Sequence, residues 1–212
     1  MSVRIFLAAL GLSAMGISAQ AASVKPISYD MLNGDSGSYN YWDQSYNGSG
    51  NVNANGSALT GGLGDLTDGV IATQNWNVVE APAGNGPYVG WVNKNPVIDF
   101  RFASAEIFNS VTFHFDDSNG TGGVYQPASV NVNGTDYALP TNAGSDPFAF
   151  TIDLAGLTTD VLTTEIVRSS GWVFLSEVTF DAQVSAVPLP ASSLLLMGGL
   201  AGLVGLRRRR KS

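Results

Sequence analysis

Cysteine is absent from this 212-residue chain, histidine occurs once, and basic residues are scarce away from the C-terminus. Without cysteine the chain forms no disulfide, presents no thiolate nucleophile and cannot assemble a Cys/His zinc cluster. A Ser-His-Asp hydrolase would have to use His114, and no nucleophile elbow accompanies it. Between Ala22 and Ala186 the only bases are Lys25, Lys94, Arg101 and Arg168, against all 17 acidic residues. That stretch therefore carries about −13, where the whole chain carries −7. A surface so charged repels phosphate backbones, so no nucleic acid is expected as partner. Long helical periodicity is also missing, and long apolar runs occur only at the two ends.

Those ends read as export signals. Met1 to Ala21 has Arg4 at its start, an apolar stretch from Ile5 to Ile17, and the small residues Ala19-Gln20-Ala21 that signal peptidase needs. The mature chain is expected to begin at Ala22. At the other end Val187-Pro188-Leu189-Pro190-Ala191 precedes an apolar run from Ser192 to Leu206. Arg207-Arg208-Arg209-Arg210-Lys211 then act as a stop-transfer cluster that holds the terminus inside. From Ala191 to Leu206 a helix would rise about 24 Å, short of a hydrocarbon core of about 30 Å. Such a span suits temporary holding and later cutting. The order of parts resembles the PEP-CTERM sorting signal of Gram-negative bacteria, in its VPLPA-CTERM variant. The resemblance implies an exosortase as processing partner and transient anchoring in the inner membrane. It further implies delivery to the cell surface, outer membrane or extracellular matrix, in company with exopolysaccharide and biofilm functions.

Three regions follow: a leader over 1–21, an exported domain over 22–186, and a sorting tail over 187–212. The exported domain opens with a Gly/Asn/Tyr-rich part, 23–64, whose turn formers predict loops and short strands. Its aromatics (Tyr29, Tyr39, Tyr41, Trp42, Tyr46) require something to pack against. Beyond Pro96 apolar residues alternate in Ile98–Phe102, Val111–Phe115 and Phe148–Leu154, with a further strand at 162–168. Val130–Tyr137 reads as a hairpin turning on Asn133-Gly134, with Val130 opposite Tyr137. The last strand, 172–181, is expected to place Phe174, Val178 and Phe180 on one face. The fold class is all-β, a jelly-roll β-sandwich between a cleaved signal peptide and a short C-terminal transmembrane sorting helix.

Gly61-Gly62-Leu63-Gly64-Asp65-Leu66-Thr67-Asp68-Gly69 lacks the Lys-Ser/Thr of a phosphate loop. Ala72-Thr73 and Trp76 follow it, and Ser176-Glu177-Val178 closes the domain. This series resembles the galactose-binding-like or discoidin jelly roll. The resemblance implies a structural calcium, with Asp68, Thr73 and Glu177 as contributors and loop carbonyls completing the 6–8 oxygens that calcium takes. It also implies a glycan site on loops at one end, where an aromatic face stacks on sugar C–H groups. Trp42, Tyr46, Tyr88 and Tyr125 lie in loop-like surroundings and are the candidates. Trp76, Trp91 and Trp172 border strands and read as core. Asp116-Asp117 point to opposite faces of an extended chain, so they are poorly placed as an acid–base pair. His114 reads as a surface histidine. The expected function is a noncatalytic surface or matrix protein binding exopolysaccharide. An extracellular carbohydrate-active hydrolase using acidic residues, and a purely structural or adhesive protein, stand as alternatives.

Overall fold

The structure, a computed structural model, describes residues 21–80 and 86–183. The leader up to Gln20, the motif Val187–Ala191 and the cluster Arg207–Lys211 lie outside the described residues. Nine strands follow one another: β1 (Ala21–Val24), β2 (Ser28–Leu32), β3 (Ala58–Gly62), β4 (Val89–Trp91), β5 (Val97–Phe115), β6 (Pro127–Val132), β7 (Thr135–Ala138), β8 (Phe148–Arg168) and β9 (Val173–Gln183). The one α-helix among the described residues, α1, is a single turn, Trp76–Val79.

All strand pairs are antiparallel. Two of the strands are much longer than the alternation implies. The stretches expected at 98–102 and 111–115 are one strand, β5, and those at 148–154 and 162–168 are one strand, β8. The sequence between them, with Ala103-Ser104-Ala105 in β5, interrupts the apolar alternation. In fact the backbone stays extended and shifts register between Arg101 and Glu106 and again between Phe108 and Ser110. Such irregularities bend a strand from one layer of a sandwich into the other. The first part of β5 pairs with β2, and the second part pairs with β9. The two inner faces then meet. Phe100 and Phe102 pack on Phe180 at ring-centroid distances of 4.9 and 5.1 Å, and Phe102 packs on Phe108 at 4.8 Å. These rings are buried, each contributing about 1.5–3 kcal/mol by leaving water.

The hairpin forms as its turn chemistry dictates. Val130 sits opposite Tyr137, and Asn133 and Gly134 take φ values of 46° and 87°, the left-handed conformation of a type I′ turn. Strand β9 departs from expectation. His114 pairs with Glu177 but the next residue, Phe115, pairs with Leu175, so β9 carries a bulge at Ser176. The bulge reverses the alternation. Phe174 therefore joins the cluster of Tyr41, Trp76, Tyr88 and Val124 outside the sheet, while Val178 and Phe180 stay in the main core. A period-2 reading has no means of registering one inserted residue.

Candidate functional site

The Asn- and Gly-rich stretch after β2 is ordered from beneath by two buried polar side chains. The Asn33 amide nitrogen donates to the carbonyls of Val52 (3.1 Å) and Ala54 (3.4 Å), and its oxygen accepts from the backbone N–H groups of Gly34 and Asp43, both at 2.9 Å. A single side chain so placed closes the loop between residues 43 and 54. Asp43 extends the tie. Its carboxylate accepts from the Tyr29 hydroxyl and from the Asp65 N–H (2.9 Å). The chain at residue 64 passes so close that any Cβ there would run into the Asp43 carboxylate, which is why glycine occupies the position. Among the described residues no base pairs with Asp43, and burial, reinforced by Asp65, pushes its carboxyl up to about 7. Tyr46 completes the scaffold. Its hydroxyl donates to the Tyr29 carbonyl at 2.5 Å and accepts from the Gly62 N–H at 2.8 Å.

On the outer side of this loop stands Trp42, half-buried. Its indole N–H donates to Asn55 Oδ1 at 2.7 Å, and the Ser36 N–H donates to the same oxygen. Beside it Gln44 Nε2 donates to Asn53 Oδ1 at 3.4 Å. The result is one aromatic ring bordered by exposed amides that both donate and accept hydrogen bonds.

A second arrangement lies where the loop after β3 meets the β9 bulge. Val178 N–H donates to the Leu66 carbonyl, and Gly69 N–H donates to Glu177 Oε2 at 3.0 Å. Asp68, Thr73 and the unanticipated Asp65 line one cavity of about 360 Å³ with Val70, Ile71, Ala72, Val79, Gly86 and Pro87. Glu177, only 4 % exposed, sits behind that loop; burial, with lesser help from Asp68, pushes its carboxyl up to about 7. Asp68 and Thr73 thus share one cavity, while Glu177 touches the same loop through the Gly69 N–H and does not line that cavity. Among the described residues no group of three or more His, Cys, Asp or Glu side chains is arranged to hold a metal. A cation here would draw on Asp68, Glu177, the Thr73 hydroxyl and loop carbonyls. That all-oxygen set fits calcium in kind.

Two of the four expected stacking residues are corrected. Tyr46 is 6 % exposed and Tyr88 1 %, so neither offers a face to a sugar. Both are core rings whose hydroxyls reach backbone; Tyr88 donates to the Gln74 carbonyl at 3.0 Å. Tyr125 is 38 % exposed and remains open to solvent, with Trp42. Trp91 is fully buried, Trp76 buried and Trp172 partly so, as their strand-bordering positions imply. Asp116 and Asp117 are both buried and take separate partners. Asp116 accepts from the Trp76 N–H at 2.8 Å, and Asp117 accepts from the Asn119 N–H and the Asn142 amide. His114 is half-buried rather than on the surface, and burial lowers its pKa.

The chain belongs to the family of the discoidin domain-containing receptor 1/2, DS-like domain, whose model matches residues 26–182. Among solved structures it is similar to a truncated AlyQ with CBM32 and alginate lyase domains, at 10% identity and a TM-score of 0.44 over 82% of this chain and 37% of that one. It therefore spans little more than a third of that protein. It is also similar to the family 32 CBM from C. perfringens NanJ in complex with galactose (8% identity, TM-score 0.33, 52% of this chain, 89% of that one). A GH31 CBM32-2 bound to GalNAc is a third (14% identity, TM-score 0.34, 77% and 98%). No curated protein matches the sequence.

Proposed function

We propose that this chain is an exported, noncatalytic protein of the cell surface or extracellular matrix whose sandwich binds exopolysaccharide or another glycan. The observation that supports this best is the Trp42 ring, held half-open among amides on a loop fixed from below by Asn33 and Asp43. An aromatic face suits the apolar C–H side of a pyranose, while Asn and Gln side chains match hydroxyls as both donors and acceptors. A loop ordered before binding loses little entropy on binding. Trp42→Ala is expected to weaken binding of the producer's own polysaccharide about 30- to 100-fold, equivalent to about 2–3 kcal/mol, with the melting temperature little changed. Isothermal titration calorimetry on the mature domain measures it; undiminished affinity in the alanine variant would remove Trp42 from the site.

Signal peptidase and an exosortase are the processing partners in this reading, with the inner membrane as a transient station. Calcium is the proposed structural ion at Asp68, Thr73 and Glu177. It would supply positive charge where a buried carboxylate has no ion-paired base, and so tie the loop after β3 to β9. A ligand that binds only the folded state at about 100 times its Kd adds about 2.7 kcal/mol. Calcium is therefore expected to raise the melting temperature by about 5–10 °C, EDTA to reverse the rise, and Glu177→Gln to abolish the response. A melting curve indifferent to both additions rules the ion out.

A further inference from the structure

We infer that the glycan taken at the Trp42 face carries free amines, and that polyuronates and sulfated or phosphorylated glycans are rejected. This rests on the glycan-binding reading above and adds the ligand's charge to it. The exported domain has four bases: the fold pairs Lys94 and Arg101 with carboxylates, Arg168 donates to a backbone carbonyl, and Lys25 stands exposed on the side of Glu177. Lys94 Nζ lies 2.5 Å from Asp35 Oδ1. Arg101 makes two hydrogen bonds to Asp30 Oδ2, at 2.9 and 2.7 Å. Arg168 donates to the Gly171 carbonyl at 2.5 Å. Lys94 borders the Trp42 surface: Gly56, next to Asn55, packs near its ammonium. With Asp35 already holding that ammonium, the loop of residues 33–57 that carries Trp42 has no base of its own to meet an anionic sugar.

Acidic groups, by contrast, continue outward from the same loop. Ser45, three residues beyond Trp42, donates to Asp65, and Asp65 shares its cavity with the exposed Asp68. Around them the domain carries a formal charge of about −13, and about −9 at mildly acidic pH, where Asp43, Glu80, Asp116 and Glu177 take up protons. A polymer covers several sugar units and so spans this field as well as the Trp42 ring. A surface of one sign raises the encounter rate of an oppositely charged ligand by about 10- to 1000-fold at low salt and repels ligands of its own sign. The effect fades where the screening length falls to about 8 Å and below. The ring and amides supply contact, and the field selects among the polymers that can make it.

The test uses the processed protein purified from its producer. Chitosan oligosaccharides, their fully N-acetylated counterparts and alginate oligosaccharides of matched length are compared by calorimetry at mildly acidic pH, in low and high salt. The amine form is expected to bind about tenfold more tightly than the acetylated form in low salt, the gap closing in high salt, and alginate not to bind. Asp146 and Asp160 are exposed and lie outside the Trp42 loop. Combining Asp146→Lys with Asp160→Asn makes the domain charge more positive by about three, and is expected to narrow the gap without changing affinity for the acetylated form. Equal or tighter binding of the acetylated form, or any binding of alginate, overturns the amine inference and leaves glycan binding standing. Failure of all three polymers, and of the producer's own polysaccharide, removes the glycan-binding reading with it.

Discussion

Asn33→Ala is expected to cost the domain about 3–5 kcal/mol and to take glycan binding away with it. The residue is fully buried, and its side chain serves backbone groups on both sides of the loop. Alanine would leave the N–H groups of Gly34 and Asp43 and the carbonyls of Val52 and Ala54 without these partners. Each buried group so stranded costs about 1–3 kcal/mol. The loss falls on the loop that carries Trp42, Asn53 and Asn55, so the surface and the stability fail together. Chemical denaturation and calorimetry read the two effects side by side. Asn33→Asp separates them further. It keeps the acceptor for Gly34 and Asp43, loses the donor for the carbonyls and buries a new charge, so it is expected to be no better than alanine. Full stability in either variant would refute the role given to Asn33, and intact binding in a destabilised alanine variant would detach the Trp42 surface from it.

Local signals in the sequence carried the parts of the fold that depend on local chemistry. Asn133-Gly134 specifies its own turn, and the register of β6 and β7 follows from it. The alternation of Ile98, Phe100 and Phe102 gives a half-buried strand whatever lies beyond. What escapes such a reading is set by distant contacts. β5 continues through Ala103-Ser104-Ala105, where its ladder to β8 breaks, because β8 pairs with it on both sides of the break, at Arg101 and at Glu106, and the extra residue in β9 opposite His114 leaves no trace in the pattern of apolar residues. The same limit applies to the site. Trp42 was legible as an aromatic among turn formers, and so were Tyr46 and Tyr88, yet only the first stays open. The other two are buried because backbone partners at Tyr29, Gly62 and Gln74 satisfy their hydroxyls. Asn33 and Asp43 were hidden for the opposite reason: in a stretch full of Asn, Asp and Gly, a buried amide looks like one more turn former. Asp65 passed unremarked because nothing in its neighbours announces the cavity that it shares with Asp68 and Thr73.

Asp43→Asn is expected to stabilise the protein at pH 8 and to add nothing at pH 4. Burial raises the Asp43 carboxyl from its ordinary 3.8 to about 7. The folded chain therefore holds a proton that the unfolded chain releases near pH 4. Folding takes up that proton between about pH 4 and 7, so stability is greatest below this window and declines as pH rises through it. Above pH 7 the folded protein keeps a charged carboxylate away from water without a base, beside Asp65. Asparagine removes that charge while its oxygen still accepts from the Asp65 N–H; its amide NH2 donates to the Tyr29 hydroxyl, which gives up its own acceptor. At about 1.4 kcal/mol per pH unit the full window corresponds to about 4 kcal/mol, and a gain of about 2–4 kcal/mol at pH 8 is the expected reading. Asp116, raised by burial to about 6, and Glu80, raised to about 7, act in the same direction. The variant therefore flattens the pH profile without abolishing its slope. Urea denaturation across pH 4–8 decides the matter. A variant that tracks the parent at every pH would mean that Asp43 is ionised and adequately solvated in the fold. A variant less stable at pH 8 would mean that its charge holds the Tyr29 and Asp65 contacts together.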